Sequence, residues 1–200
     1  MSASEHLLLK ELKEKGYRYR NIDKLFEQKT LQADETEAIL KWLEPIYRED
    51  VATADILVRS LVSAKHVFDP SLLIRLFDES DLNFHLKSGI GVALAYGRTT
   101  DISAWLRKKL GKEPFAPQNW VLIEGLFTKG GFTDVNDYMS FMRSIFDNYQ
   151  NESVLKTFAK YGNKEDIKFL EEKAKHCSDA RQSKKIGHAI KKIATRNSLL

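Results

Sequence analysis

Five histidines and one cysteine are the side chains on which metal or nucleophilic chemistry would draw, and their spacing argues against both. His6, His66, His85, His176 and His188 include no His-x-x-x-His pair, and a zinc centre needs three or four convergent ligands. His176 and Cys177 are adjacent, which reads as a surface pair at a helix end. The carboxylates Glu171-Glu172 and Asp78, Glu79 and Asp81 read as solvated helix ends. No phosphate loop, dinucleotide fingerprint or zinc spacing occurs. The expectation is no catalytic residue, no metal and no cofactor. A single cysteine excludes an intramolecular disulfide framework and favours a reduced setting. The start, MSASEHLLLKELKEK, lacks the pattern of a signal peptide. No apolar stretch approaches the ~18 residues of a spanning helix, so a cytoplasmic address without membrane contact is expected.

Charge is the next chemical signal. The net charge is +4, but the last twenty residues carry Arg181, Lys184, Lys185, Lys191, Lys192 and Arg196 and no acid, so the first 180 residues sum to −2. Arg181, Lys184, Lys185, Lys191 and Lys192 are candidates for phosphate contact; the competing reading is a solvated terminal helix. Tyr17-Arg18-Tyr19-Arg20 reads either as a base-stacking run or as a connector whose rings pack inward.

The elements that must position these residues are legible as a repeat. In steps of 32 or 33 residues, Leu61, Leu94, Leu126, Phe158 and Ile190 fall into one column. A small residue precedes each (Ser60, Ala93, Gly125, Thr157, Ala189), and four before each stands Leu57, Ile90, Leu122, Val154 or Ile186. Gly97, Gly130 and Gly162 follow, then Asp101, Asp134 and Asp166, each ahead of an aliphatic residue. Helical spacing inside a period near 33 means stacked helix pairs. The expected order is an N-terminal cap over 1–33, helical repeats over 34–196 and a frayed tail over 197–200, in one domain. Ser4 is expected to cap the first helix with Gly16 as its stop, Asn21 to cap a short second helix, and Pro45 to stop or kink the third. Asp69-Pro70-Ser71 should open a helix. Asn83 or a neighbour, Thr100, Thr133 and Asn163 are the expected caps further on. Gly111 to Pro114 reads as the loosest turn of the middle of the chain.

The tetratricopeptide and ankyrin signatures are missing. Asp101-Ile102, Asp134-Val135 and Asp166-Ile167 at the starts of first helices resemble HEAT repeats. More narrowly, Asp55-Ile56-Leu57-Val58-Arg59-Ser60-Leu61 and the run from Leu86-Lys87 through Gly89-Ile90-Gly91 to Ala93-Leu94 resemble a family of small bacterial HEAT-like proteins. The resemblance covers the chain from about Gly16 onward. It implies an all-α fold: a right-handed α-α superhelix of about five helix pairs behind an N-terminal capping segment. The period is shorter than the usual HEAT range of about 40 to 47 residues.

The resemblance also implies that second helices line a concave side. Positions two and six before each column residue lie on one face of a helix: Asp55 and Arg59, Ser88 and Val92, Trp120 and Glu124, Glu152 and Lys156, Lys184 and His188. Their types change at every repeat, so they are the expected partner-binding face, with Lys87 beside them. Asp55–Arg59 and Glu152–Lys156 read equally as ordinary i,i+4 pairs. Trp120 is either an exposed interface anchor or covered by the 111–117 loop.

Two functions compete. The first is a non-enzymatic module that binds a protein on the concave face, as an adaptor or in an immunity or antitoxin role. The second is a nucleic-acid-binding protein similar to the HEAT-like alkylation-repair glycosylases, working through the basic C-terminal helix. Trp42 and Trp105 fall on first helices, away from the inner face, which counts against the second.

Overall fold

The computed structural model describes residues 1–79, 81–111, 119–149 and 152–198. Among these residues the chain is all-helical, with twelve α-helices and no strand. They are α1 (Ala3–Glu14), α2 (Ile22–Phe26), α3 (Ala33–Glu49), α4 (Val51–Ser60), α5 (Ser71–Asp78), α6 (Phe84–Tyr96), α7 (Ser103–Gly111), α8 (Trp120–Lys129), α9 (Val135–Ile145), α10 (Glu152–Tyr161), α11 (Lys164–Lys175) and α12 (Ala180–Asn197). They fall into two compact units, Met1–Ser103 and Ala104–Leu200. The expected turn at 111–114 and the start of the helix expected from Pro117 lie outside the described residues, apart from Gly111.

In the first unit α3 pairs with α4 and α5 with α6, while α4 packs between α2 and α6, and α1 lies on α3. Leu57, Leu61, Ile90 and Leu94 are fully buried, each contributing about 1.5–3 kcal/mol of apolar burial. The caps are local devices. Ser2, rather than the expected Ser4, caps α1 in a reciprocal box with Glu5; Ser4 is instead held by the Glu49 carboxylate of α3, donating from N at 3.0 Å and from Oγ at 2.6 Å. Gly16 ends α1 with φ +97°, a left-handed backbone that suits glycine. Asn21 and Asn83 cap α2 and α6 as expected. Pro45 does not stop α3, which runs on to Glu49. Asp50 alone joins α3 to α4, its Oδ1 accepting from Ala52 N at 2.9 Å. Loops 33 residues apart are tied by backbone bonds: Leu31 N donates to Ser63 O at 2.8 Å and Lys65 N to Leu31 O at 2.9 Å.

In the second unit α9 pairs with α10 and α11 with α12, and α10 packs between α8 and α12. Phe146 meets Phe158 and Phe169 edge-on at 5.6 and 5.4 Å between ring centroids. Asp134, not Thr133, caps α9; at the end of the first unit Asp101, not Thr100, accepts from Ser103 N at the start of α7. Asn163 caps α11 as expected, three positions ahead of Asp166. Asp166 is fully buried, accepting from Arg143 Nε at 2.7 Å and from Asn163 N at 2.8 Å.

The column glycines have a common reason. The N–H groups of Gly97, Gly130 and Gly162 each donate at 2.8 Å to the carbonyl four residues back. A β-carbon there would lie only 2.5–2.6 Å from that same oxygen.

Candidate binding surface

The repeat separates into two kinds of position. The column residues Leu61, Leu94, Leu126 and Phe158, and the residues four before them, are buried, while Thr157 and Ile190 are half-buried. All ten residues at the two variable positions stay accessible. Asp55, Arg59, Ser88 and Val92 are half-buried; Trp120, Glu124, Glu152, Lys156, Lys184 and His188 are exposed. Trp120 begins α8 and is 42% exposed.

In the first unit Arg59 Nε reaches both oxygens of Asp55, at 3.0 and 2.9 Å. This pair lies against α6 at Gly89, where a β-carbon would stand 2.2 Å from Asp55 Oδ1 and 2.9 Å from Val58 Cγ1. Glycine at 89 thus lets α4 and α6 approach, and the approach positions the ion pair. Lys87 departs from the expectation. It is 7% exposed, and its ammonium donates to Glu79 O at 2.9 Å and lies 5.5 Å from the centroid of Phe77. A cation satisfying the carbonyl just past α5 follows from the unpaired oxygens at helix C-termini. Lys87 therefore belongs to the packing of α5 on α6 and not to an open face.

In the second unit Glu124 of α8 accepts from Ser153 Oγ of α10 at 3.2 Å. Glu152 and Lys156 pair at 2.8 Å; this hydrogen bond holds the carboxyl below, and the ammonium above, their ordinary pKa values. Between α10 and α12 runs a groove of about 780 Å³. It brings together residues that the sequence placed on two surfaces, Lys184 and His188 from the variable face and Arg181, Lys185, Lys191 and Lys192 from the basic helix. Lys156 adds a sixth lysine or arginine, and Glu152 is the one carboxylate of the lining among the described residues. Leu155, Ala159, Ala189 and Gly187 also line it. Ile186, Ala189 and Ile193 turn inward to the core, and this leaves the cations at 181, 184, 185, 191 and 192 outside. The sequence had placed Glu152 and Lys156 on one variable face with Lys184 and His188; that Arg181, Lys185, Lys191 and Lys192 share a groove with them follows from the packing of α10 on α12.

Other candidates resolve differently. Tyr17 Oη donates to Asp34 at 2.7 Å and Tyr19 Oη to Glu35. These bonds to carboxylates raise the Tyr17 hydroxyl to about 12 and, with burial as the larger cause, raise Tyr19 further. Rings tied to acids at the start of α3 form a connector. His176 and Cys177 border a pocket of about 330 Å³ with Asp147, Glu172 and Lys173, in which Lys173 pairs with Asp147 at 2.6 Å. No group of three His, Cys, Asp or Glu among the described residues could hold a metal ion, and no described helix is long and apolar enough to cross a membrane.

Comparison with protein-family models, with curated proteins and with solved structures finds no match.

Proposed function

We propose that this chain is a HEAT-like helical-repeat module without catalytic activity, which binds a protein partner on the face presented by its second helices. One observation carries the reading: no repeat-variable position of the second helices is buried, six being exposed and four half-buried, while the repeat-constant positions beside them are buried except Thr157 and Ile190. Side chains that vary from repeat to repeat and are free of the core are the means by which solenoids recognise partners. The packing of α4 between α2 and α6, and of α10 between α8 and α12, is what a stack of second helices requires. Trp120 is the anchor on this reading, because exposed tryptophans beside charged groups dominate binding energies where they occur. The protein works in the reduced interior of the cell, as an adaptor or an immunity-type binder.

The test is affinity capture at moderate salt beside the variant Arg59→Glu, Trp120→Ala, Lys156→Glu, with circular dichroism to show that the variant folds. One protein retained in stoichiometric amount by the wild type and lost by the folded variant is the expected result. A partner retained equally by both, or no protein retained, removes the reading.

A further inference from the structure

The α10–α12 groove contains a residue that the fold does not explain. Gly187 stands in the interior of α12 without a positive φ, and a β-carbon built on it meets nothing within 4 Å. Gly89 in α6 is the contrast, since there a β-carbon would collide with α4. An exposed glycine inside a helix weakens that helix by about 1 kcal/mol relative to alanine. Nothing in the described chain needs Gly187 to be small. It lines the groove, so the room above it is available to whatever the groove admits.

The lining identifies the class of ligand. Six lysines and arginines face one carboxylate, and that carboxylate is paired with Lys156. Among the described residues the lining holds no Phe, Tyr or Trp, and Leu155 and Ala189 are only 5% and 3% exposed. The cores of protein interfaces are poor in lysine and rich in aromatic anchors. A helix lying on a membrane needs an open apolar face, whereas Ile186 and Ile193 are fully buried. Dense positive charge facing a single, already paired carboxylate is the composition of a nucleic-acid interface. Arg181, Lys184, His188 and Lys191 follow one another at helical spacing along about 15 Å of α12.

We propose that the α10–α12 groove binds the phosphodiester backbone of a nucleic acid, with Gly187 as the point where the sugar–phosphate chain comes closest to the helix. This goes beyond the protein-partner reading. It shares Lys156, Lys184 and His188 with that face but does not involve Trp120.

The experiment is fluorescence anisotropy on the purified full chain with labelled single-stranded DNA, single-stranded RNA and duplex DNA of about 20 nucleotides per strand. If four of the cations contact phosphates, affinity for a single strand falls about 50-fold between 50 and 200 mM salt. Lys184→Glu with Lys191→Glu lowers affinity about tenfold or more at the lower salt. Gly187→Ala separates fold from ligand: it raises Tm by about 2–4 °C while weakening binding several-fold. Trp120→Ala binds nucleic acid as the wild type does, so failure here and failure of the protein-partner reading are distinguishable. Absence of binding to all three probes at the lower salt overturns the proposal, as does undiminished binding by the double lysine variant. Polyglutamate or anionic vesicles bound as tightly as nucleic acid at matched salt overturn the ligand class. Gly187→Ala that melts higher and binds like the wild type overturns the role of Gly187.

Discussion

Asp166 offers the sharpest test of how the second unit is held together. It is fully buried, while its partner Arg143 is 28% exposed at the side chain. Replacing Asp166 with alanine removes a charge-assisted hydrogen bond at 2.7 Å, worth about 1.5–3 kcal/mol. It also opens half of the capping box on α11, worth about 0.5–1 kcal/mol. Arg143 can rehydrate through its exposed portion, so the cost stays below the sum of the larger figures, at about 2–3 kcal/mol. The reverse change is more severe. Arg143→Ala leaves a carboxylate enclosed without its counter-ion, a situation that costs about 3–5 kcal/mol. The order of the two single variants is therefore fixed by which partner is enclosed, and the double variant should be more stable than Arg143→Ala alone. Urea denaturation of the full chain, followed by circular dichroism, measures all three differences. Asp166→Ala costing less than about 0.5 kcal/mol, or Arg143→Ala costing less than Asp166→Ala, would refute the reasoning.

Gly89→Ala gains about 1 kcal/mol of helix propensity but overpacks against Val58 and Asp55 at a cost of about 1–3 kcal/mol; a lowered Tm is expected, and a raised one would mean that α4 and α6 are not closely packed. Glu11 is held down to about 2 by hydrogen bonds from Lys41, Trp42 and Lys15. Because the folded pKa lies below the ordinary 4.5, its contribution is present above that value and is lost as pH falls from there toward 2. The shift alone would be worth about 3 kcal/mol, but Lys41 is 62% exposed, and screening reduces this to about 1 kcal/mol. Glu11→Gln should be less stable than the wild type at pH 7 and should converge with it as the solution is acidified from about pH 4.5 toward pH 2; a gap independent of pH in urea titrations would exclude the linkage. Lys87→Met keeps the buried stem but loses the charge-assisted hydrogen bond to Glu79 O, so a loss of about 1.5–3 kcal/mol with undiminished partner capture is expected; loss of capture in a folded Lys87→Met protein would return Lys87 to the binding face.

The repeat columns, the helix starts at Asn21, Asn83 and Asn163, and the basic run of the last helix could be read from the chain because each depends on contacts within a few residues. A helix repeats every 3.6 residues, and a capping side chain bonds an N–H two or three positions away, so both leave their mark in short stretches of sequence. Three-dimensional packing decided the rest. Asp101, Asp134 and Asp166 occupy one column and each accepts from a backbone N–H at a helix start, yet only the third is also the buried partner of Arg143. Asn163, legible as a cap, starts its helix earlier in the register, but no local pattern announces a partner 23 residues away. Lys87 and Lys156 were both placed on the expected partner-binding face. Only the position of the carbonyl at Glu79 draws Lys87 inward, and only the proximity of α10 to α12 makes Lys156 one wall of a basic groove. Burial of a charge and the opening of a groove depend on residues distant in sequence, and such contacts have no period to read.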